Sequence, residues 1–464
     1  MRPLWIKLLP PVAAALLGAG CSEAPGEHAQ NAFAPLTAAH GIARADKTAL
    51  THPYETLDAD ETDRAILGKS FFRIPWVEAP SATTARDGLG PLFNANTCNH
   101  CHPNGGAGTA VDASGRIARG MVFRFALSED SNASDPVAAA RLGFTPDPVY
   151  GAQLSVSAVH GVPYEGIAEV RYTEVNGMYP DGEAYRLRRP TYTVASPQYG
   201  PLHPDTRMTA RVAPALAGMG LLESVDDAEI LSREDPEDRD RDGISGRANR
   251  VFSPETNATA LGRYTWKASA PSVRHQVAAA MHNDMSLTTP LFPEENCTPA
   301  QEACLKAPHG RHAFDVPQAR LDAVTYYVET RRMPLQRDPA AHRDGEELFT
   351  QIGCVACHAD RLKGRDGNVI RPFSDLLLHD MGEGLADGRG EFDASGREWR
   401  TAPLWGIGLR RVVNPQASYL HDGRARSLEE AVLWHGGEAE TARTAFMRLD
   451  RGARERLILF LESL

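Results

Sequence analysis

The chemistry of this chain concentrates in two five-residue stretches, Cys98-Asn99-His100-Cys101-His102 and Cys354-Val355-Ala356-Cys357-His358, both of the form Cys-x-x-Cys-His. That spacing suits covalent haem attachment. Two thiols so placed form thioethers with the two vinyl groups of a porphyrin, and the adjacent imidazole then sits beneath the iron as proximal ligand. A zinc knuckle would want a second Cys/His pair close by, and a redox dithiol would not need the following His. The sequence therefore predicts two covalent haem c groups, one on Cys98 and Cys101 with His102, the other on Cys354 and Cys357 with His358.

Three cysteines remain. Cys297 and Cys304, seven apart in ENCTPAQEACLK, are expected to form a local disulfide in an oxidising compartment. Cys21 follows Arg2, Lys7 and a mostly apolar, uncharged run from Leu8 to Gly20, which reads as an export signal too short to span a bilayer of about 20 residues' depth. The small residues before Cys21 resemble a bacterial lipoprotein box, so the chain is expected in the periplasm, held by a lipid on Cys21, with simple cleavage as the alternative. The stretch DPEDRDRDGISGRAN puts Asp238, Asp240 and Asp242 at the first, third and fifth places of a calcium loop, with Gly243 at the sixth. Its twelfth place is Asn249 rather than a bidentate Glu, so calcium and a solvated acidic turn both stay open.

These groups need elements to position them. The chain has 464 residues, 42% hydrophobic and 23% charged, which excludes disordered and fibrous classes. Its formal charge of -11 argues against non-specific nucleic-acid binding. Residues 1–20 read as signal peptide and 21–58, rich in Ala, Pro and polar residues without a period, as a flexible tether. Alternation in AQLSVSAVHGV, GIAEVRYTEV and YRLRRPTYTVA predicts short strands over about 120–210. Helical spacing follows in Val212 to Ile230, Ser272 to Met285 and Gln318 to Arg332. At the end Asp450 can cap a helix whose Leu457, Phe460, Leu461 and Leu464 form the inner stripe. Both Cys-x-x-Cys-His stretches follow a Leu-Phe pair, Leu92-Phe93 and Leu348-Phe349, as in the short first helix of a cytochrome c. The division expected is an N-terminal haem domain with an insertion over 59–340 and a C-terminal cytochrome c domain over 341–464.

Four longer stretches, GRYTWKASAPSVRHQ, RPFSDLLLHDMGEGLADGRG, REWRTAPLWGIGL and YLHDGRARSLEEAVLWHGGEA, make the chain from about 60 to 464 resemble the bacterial di-haem cytochrome c peroxidases. It is most similar to the branch called di-haem oxidoreductases, also labelled predicted thiol oxidoreductases. The thiol label is hard to support, because thioethers consume all four Cys-x-x-Cys sulfurs. The resemblance implies a mainly α fold: two cytochrome c-like haem domains, with a β-containing insertion in the N-terminal one, facing each other across an interface. It implies electron entry at the C-terminal haem and peroxide reduction at the N-terminal one. It also implies a tryptophan between them, for which Trp266 is the candidate, a core Trp being the alternative.

In those peroxidases a Met fourteen residues after the His of an H-x-G motif is the sixth ligand of the C-terminal haem. Here that His is His421, and His435 stands in the Met's place. Ser427 and Glu430 form a capping box ahead of it, and Gly436 and Gly437 stop the helix just after. His379 and Met381 are rivals, although their segment resembles a loop whose His does not bind iron. For the N-terminal haem, Met121, His160, Met219, His282 and Met285 are all open candidates and the sixth ligand is unassigned. Glu223, in the apolar run GMGLLES, is a candidate distal acid/base, against an ordinary helix-surface carboxylate.

The expectation is an exported di-haem c-type oxidoreductase of the cytochrome c peroxidase type, with hydrogen peroxide or another redox substrate and a small electron-donor protein as partners. It touches the membrane only through its lipid and binds no nucleic acid. The alternative is a non-catalytic di-haem electron-transfer protein of the cell envelope, linked to iron uptake.

Overall fold

The computed structural model describes residues 40–464 apart from 129 and 134. The expected leader, Cys21 and the tether as far as residue 39 lie outside the described residues. Among those described, no helix is long and apolar enough to cross a membrane.

The expected mainly α fold is overturned: helix makes up 29% and strand 20%, the strands forming small two-stranded sheets. One reason is the length of the middle hairpin. Its strands Ile167–Met178 and Ala184–Ala195 pair antiparallel over twelve residues each, from Ile167 with Ala195 to Met178 with Ala184. A second ribbon pairs Met121–Leu127 with Thr206–Val212. The other reason is a set of two- to four-residue pairings, such as Leu378–Asp380 with Glu398–Arg400, too short for a period-2 pattern to reveal.

The helices expected over Ser272 to Met285 and Gln318 to Arg332 form, whereas the helical run expected from Val212 to Ile230 begins as the end of a strand and breaks into Met219–Ser224 and Asp227–Leu231, and Ala59–Arg73 is a helix the sequence reading did not name. Ala59–Arg73, Val273–Met285 and Gln318–Glu329 bury Phe71, Phe72, Met281, Leu321 and Tyr327 in one core. A second core forms around the C-terminal helix Arg451–Ser463. Asp450 caps that helix, accepting the Ala453 N–H at 2.9 Å. Its stripe of Leu457, Phe460, Leu461 and Leu464 is buried, with Phe460 against Phe349 and Phe373. Each such side chain contributes about 1.5–3 kcal/mol by leaving water. The long hairpin reaches this second core: the Tyr179 hydroxyl donates to Glu429 at 2.7 Å and Arg454 to Glu183 at 2.7 Å.

Residues 40–58, read above as the end of the tether, instead lie against the folded body. Gly41–Ile42 pairs in parallel with Met333–Pro334, and Ala49 and Leu50 are fully buried. A few apolar residues, irregularly spaced among polar ones, carry no period, yet each finds its own socket.

Candidate functional site

The first Cys-x-x-Cys-His stretch is a single helical turn, Cys98–Cys101, started by Thr97, whose hydroxyl accepts the His100 N–H at 3.1 Å. His102 follows at once, and its Nδ1 donates to the Pro214 carbonyl at 2.8 Å. Burial lowers the His102 pKa to about 4, so the ring is neutral. With the proton on Nδ1, the Nε2 lone pair is free for a metal, the usual arrangement of a ligating imidazole. Cys98, Cys101 and His102 line a cavity of about 260 Å³. Gln276 and Asp284 of the helix Val273–Met285 line it too, as do Met219, Trp266, Arg400 and Arg410.

Of the five candidates for the sixth ligand here, only Met219 reaches the cavity. Met121 and Met285 are packed in the cores, His160 is exposed, and His282 stacks on Phe292 with ring centroids 5.3 Å apart.

The second site repeats the arrangement. The His358 N–H bonds the Cys354 carbonyl at 2.9 Å, and its Nδ1 donates to the Phe373 carbonyl at 2.9 Å. Burial again lowers the ring's pKa to about 4, and the nearness of His435 adds to the shift. His435 itself has a pKa lowered by burial, and its Nδ1 donates to the Ala431 carbonyl at 2.7 Å. Both imidazoles thus keep Nε2 free. The preceding helix is Leu428–Leu433, capped by the Ser427 hydroxyl accepting the Glu430 N–H at 3.1 Å. The capping box is only half formed, because the Glu430 carboxylate accepts the Arg426 N–H instead.

His379 cannot compete with His435. Its Nε2 bonds Asp375 at 2.8 Å and its Nδ1 bonds Glu438 at 2.7 Å. Burial opposes its charge, but the two carboxylates outweigh burial and hold it as an imidazolium with no lone pair to offer. Met381 is partly buried at the edge of the second core.

The donors present fit a thioether-linked haem at both places. Burial pushes the Cys98 and Cys354 thiols up to about 12, which disfavours thiolate redox chemistry. Cys297 and Cys304, the remaining described pair, are joined as a disulfide. Beside His435, the buried Trp434 Nε1 has no hydrogen-bond partner.

Trp266 lines the first cavity and packs against the second core. Its Nε1 donates to the Val212 carbonyl at 2.8 Å, and its ring meets His421 edge-on at 6.5 Å. His421 in turn stacks on Trp399 at 3.7 Å. Glu223 is not brought to the cavity. Its carboxylate, with pKa raised by burial, accepts the Val273 N–H at 3.0 Å.

Asp238, Asp240 and Asp242 do converge, each offering a carboxylate oxygen within 4.8 Å of the others. Asn249 does not join them. Its amide is turned inward, donating to the carbonyls of Lys267 at 2.7 Å and Glu391 at 3.0 Å. The loop is tied to the second site through Ser245, which donates to Glu438, the partner of His379, at 2.6 Å.

Sequence reasoning missed Gln276, Asp284, Arg400 and Arg410. The first two carried a signal, since Val273, Gln276, Val277, Ala280 and Asp284 share one helix face, but that spacing equally describes a core-facing stripe.

The family described as "Di-haem oxidoreductase, putative peroxidase" matches residues 41–464. No curated protein matches the chain. A chain of Kuenenia stuttgartiensis hydrazine synthase, from a structure pressurised with 20 bar xenon, is similar at 13% identity and a TM-score of 0.33, over 98% of this chain and 100% of that one.

Proposed function

The chain belongs to the di-haem oxidoreductase family, and we propose that it is an exported, lipid-anchored enzyme of the peroxidase type. Electrons enter at the site of His358 and His435, and hydrogen peroxide is reduced, or another substrate oxidised, at the site of His102. The observation that carries this is the asymmetry between the two sites. At the second, two neutral imidazoles keep Nε2 free and His435 is near enough to His358 to bear on its pKa, and a haem held by both would favour outer-sphere electron transfer. At the first, His102 is the only imidazole on the cavity, and Met219 the only thioether among the described residues that line it. Haem bound there would be held by His102 and would supply redox-active iron to the cavity.

The chain's own residues do the rest. His102 would ligate the haem, Trp266 lines the cavity on the side that packs against the second core, and Gln276 and Asp284 are polar groups on the cavity within one helix face. Each peroxide needs two electrons and two protons to give two waters, and Asp284, with a carboxyl pKa raised by burial, is the wall residue suited to hold a proton.

The purified full-length protein, with two haems established by intact mass, is mixed with a reduced small cytochrome and hydrogen peroxide. Consumption of two donor equivalents per peroxide is expected. Electron exchange with the donor but no peroxide turnover overturns the enzymatic reading in favour of a carrier. For the anchor, Cys21→Ser is expected to move the protein from the membrane fraction to the soluble one.

We also infer that the Asp238, Asp240 and Asp242 loop holds calcium and steadies the second site through Ser245 and Glu438. An ion bound only to the folded state stabilises it by about 2.7 kcal/mol at a hundredfold excess over Kd. A chelator should therefore lower the melting temperature of the protein. An unchanged melt, together with no calcium by elemental analysis, removes the idea.

A further inference from the structure

Four arginines line the first cavity, and one of them leaves two donors without a partner among the described residues. Arg211 is paired with Asp387 at 2.7 Å, and Arg400 donates from Nε to the Thr265 carbonyl at 2.8 Å. Arg124 has an unpartnered Nε but lies close enough to Glu391 to share its charge. Arg410 is different. Its Nε and Nη2 are both buried with no hydrogen-bond partner, and among the described residues no carboxylate stands beside it. Its neighbour is the face of Tyr419, with the ring centroid 5.4 Å from the guanidinium carbon. Burial lowers the guanidinium's pKa to about 10, which still leaves it charged at neutral pH.

An uncompensated buried cation is expensive, and a planar guanidinium with two donors idle on one edge is shaped for one kind of partner. Nε–H and Nη2–H point the same way, and that edge grips a carboxylate through two parallel hydrogen bonds. Among the described residues no side chain supplies that carboxylate. The cavity that Arg410 shares with Cys98, Cys101 and His102 is where one would be brought in from outside the chain.

We propose that Arg410 binds a propionate carboxylate of the haem attached at Cys98 and Cys101, and that its charge raises that haem's reduction potential. The inference rests on the haem reading given under Proposed function. A fixed positive charge beside the porphyrin favours the reduced iron, which carries one charge less than the oxidised iron. Arg410 is thus a positioning and tuning residue for the first site, placed by the turn that follows GIGL.

The test uses the full-length holoprotein with Arg410→Gln and Arg410→Lys, reading haem count by intact mass, both midpoint potentials by spectroelectrochemistry, and the propionate bending band by resonance Raman. In Arg410→Gln, one of the two potentials should fall by at least a tenfold change in the redox equilibrium, about 59 mV for one electron. The other should stay in place. Arg410→Lys keeps the charge but loses the fork, so its potential should fall less while the propionate band still shifts. Two haems with both potentials and the band unchanged in Arg410→Gln overturns the proposal, and leaves the haem reading intact. A parent protein with no haem on Cys98 and Cys101 overturns the haem reading itself. If Arg410→Gln carries only the Cys354/Cys357 haem, Arg410→Lys decides: a shifted propionate band supports the proposal and an unmoved one overturns it.

Discussion

In His435→Met, the haem proposed on Cys354 and Cys357 is expected to rise in potential by on the order of 0.1 V or more, within the span of about 0.8 V that axial ligands command. The spectrum should gain the near-infrared band of sulfur-to-iron ligation. Imidazole donates more strongly to ferric iron than a thioether does, so it stabilises the oxidised state and lowers the potential. His435 is set up to do this. Its Nδ1 is fixed on the Ala431 carbonyl, its Nε2 is free, and it lies near His358, whose Nδ1 is fixed in the same way on Phe373. His379 offers no fallback, with both ring nitrogens held by Asp375 and Glu438. An unchanged potential and spectrum would place the sixth ligand elsewhere, with Met381 next to be replaced. A low-potential second haem also changes the functional expectation, because the electron donor must then be a stronger reductant than one serving a His/Met relay.

What was legible in the sequence was local. The two Cys-x-x-Cys-His turns, the Asp450 cap and the stripe of the last helix depend on residues within a few positions of one another, so spacing alone reports them. The strands of the long hairpin were legible because alternation holds over most of each, although its phase slips once near Glu174 and again near Arg188. The balance of helix and strand was not, since pairs such as Gly41–Ile42 with Met333–Pro334 join segments almost 300 residues apart through two residues each. The same limit hid most of the first cavity. Arg410 joins Cys98 on the cavity only in three dimensions with nothing along the chain to mark it, and the helix-face spacing that includes Asp284 reads equally as a core stripe. Glu223 shows the converse: an acid in an apolar run is visible, but its use in bonding the first residue of the Val273–Met285 helix is not.

Replacing Asp387 by Asn is expected to cost about 3–5 kcal/mol of folding stability at neutral pH, the usual penalty for breaking a buried charge pair from one side. Asp387, its side chain 6% exposed, receives Arg211 at 2.7 Å and Lys267 at 3.5 Å, and Arg211 lies 3.5 Å from Glu391. The same two cations lie over Trp399, 4.4 and 4.3 Å from its ring centre, while His421 stacks on that ring beside Trp266. Without Asp387 the two cations would share Glu391. The pH dependence carries the signature. Burial alone would raise both carboxyls, but the surrounding cations hold Asp387 well below its ordinary value and Glu391 down to about 2. Their contribution is therefore present above the unfolded pKa of about 4 and is lost as pH falls from there toward 2. Lys267 acts at the other end: burial lowers its pKa from 10.5 to about 8, so the unfolded chain binds the extra proton between those values and stability rises with pH across them. In Asp387→Asn the lysine loses a counter-charge, its pKa falls further, and part of the deficit should be recovered above pH 8. Urea melts at pH 3, 7 and 9 decide the matter. A deficit largest at pH 7 and smaller at both ends is the expected pattern. A loss below about 1 kcal/mol at pH 7 would mean that Arg211 and Lys267 find other partners, and that this ionic layer does not hold the aromatic contact between the two sites in place.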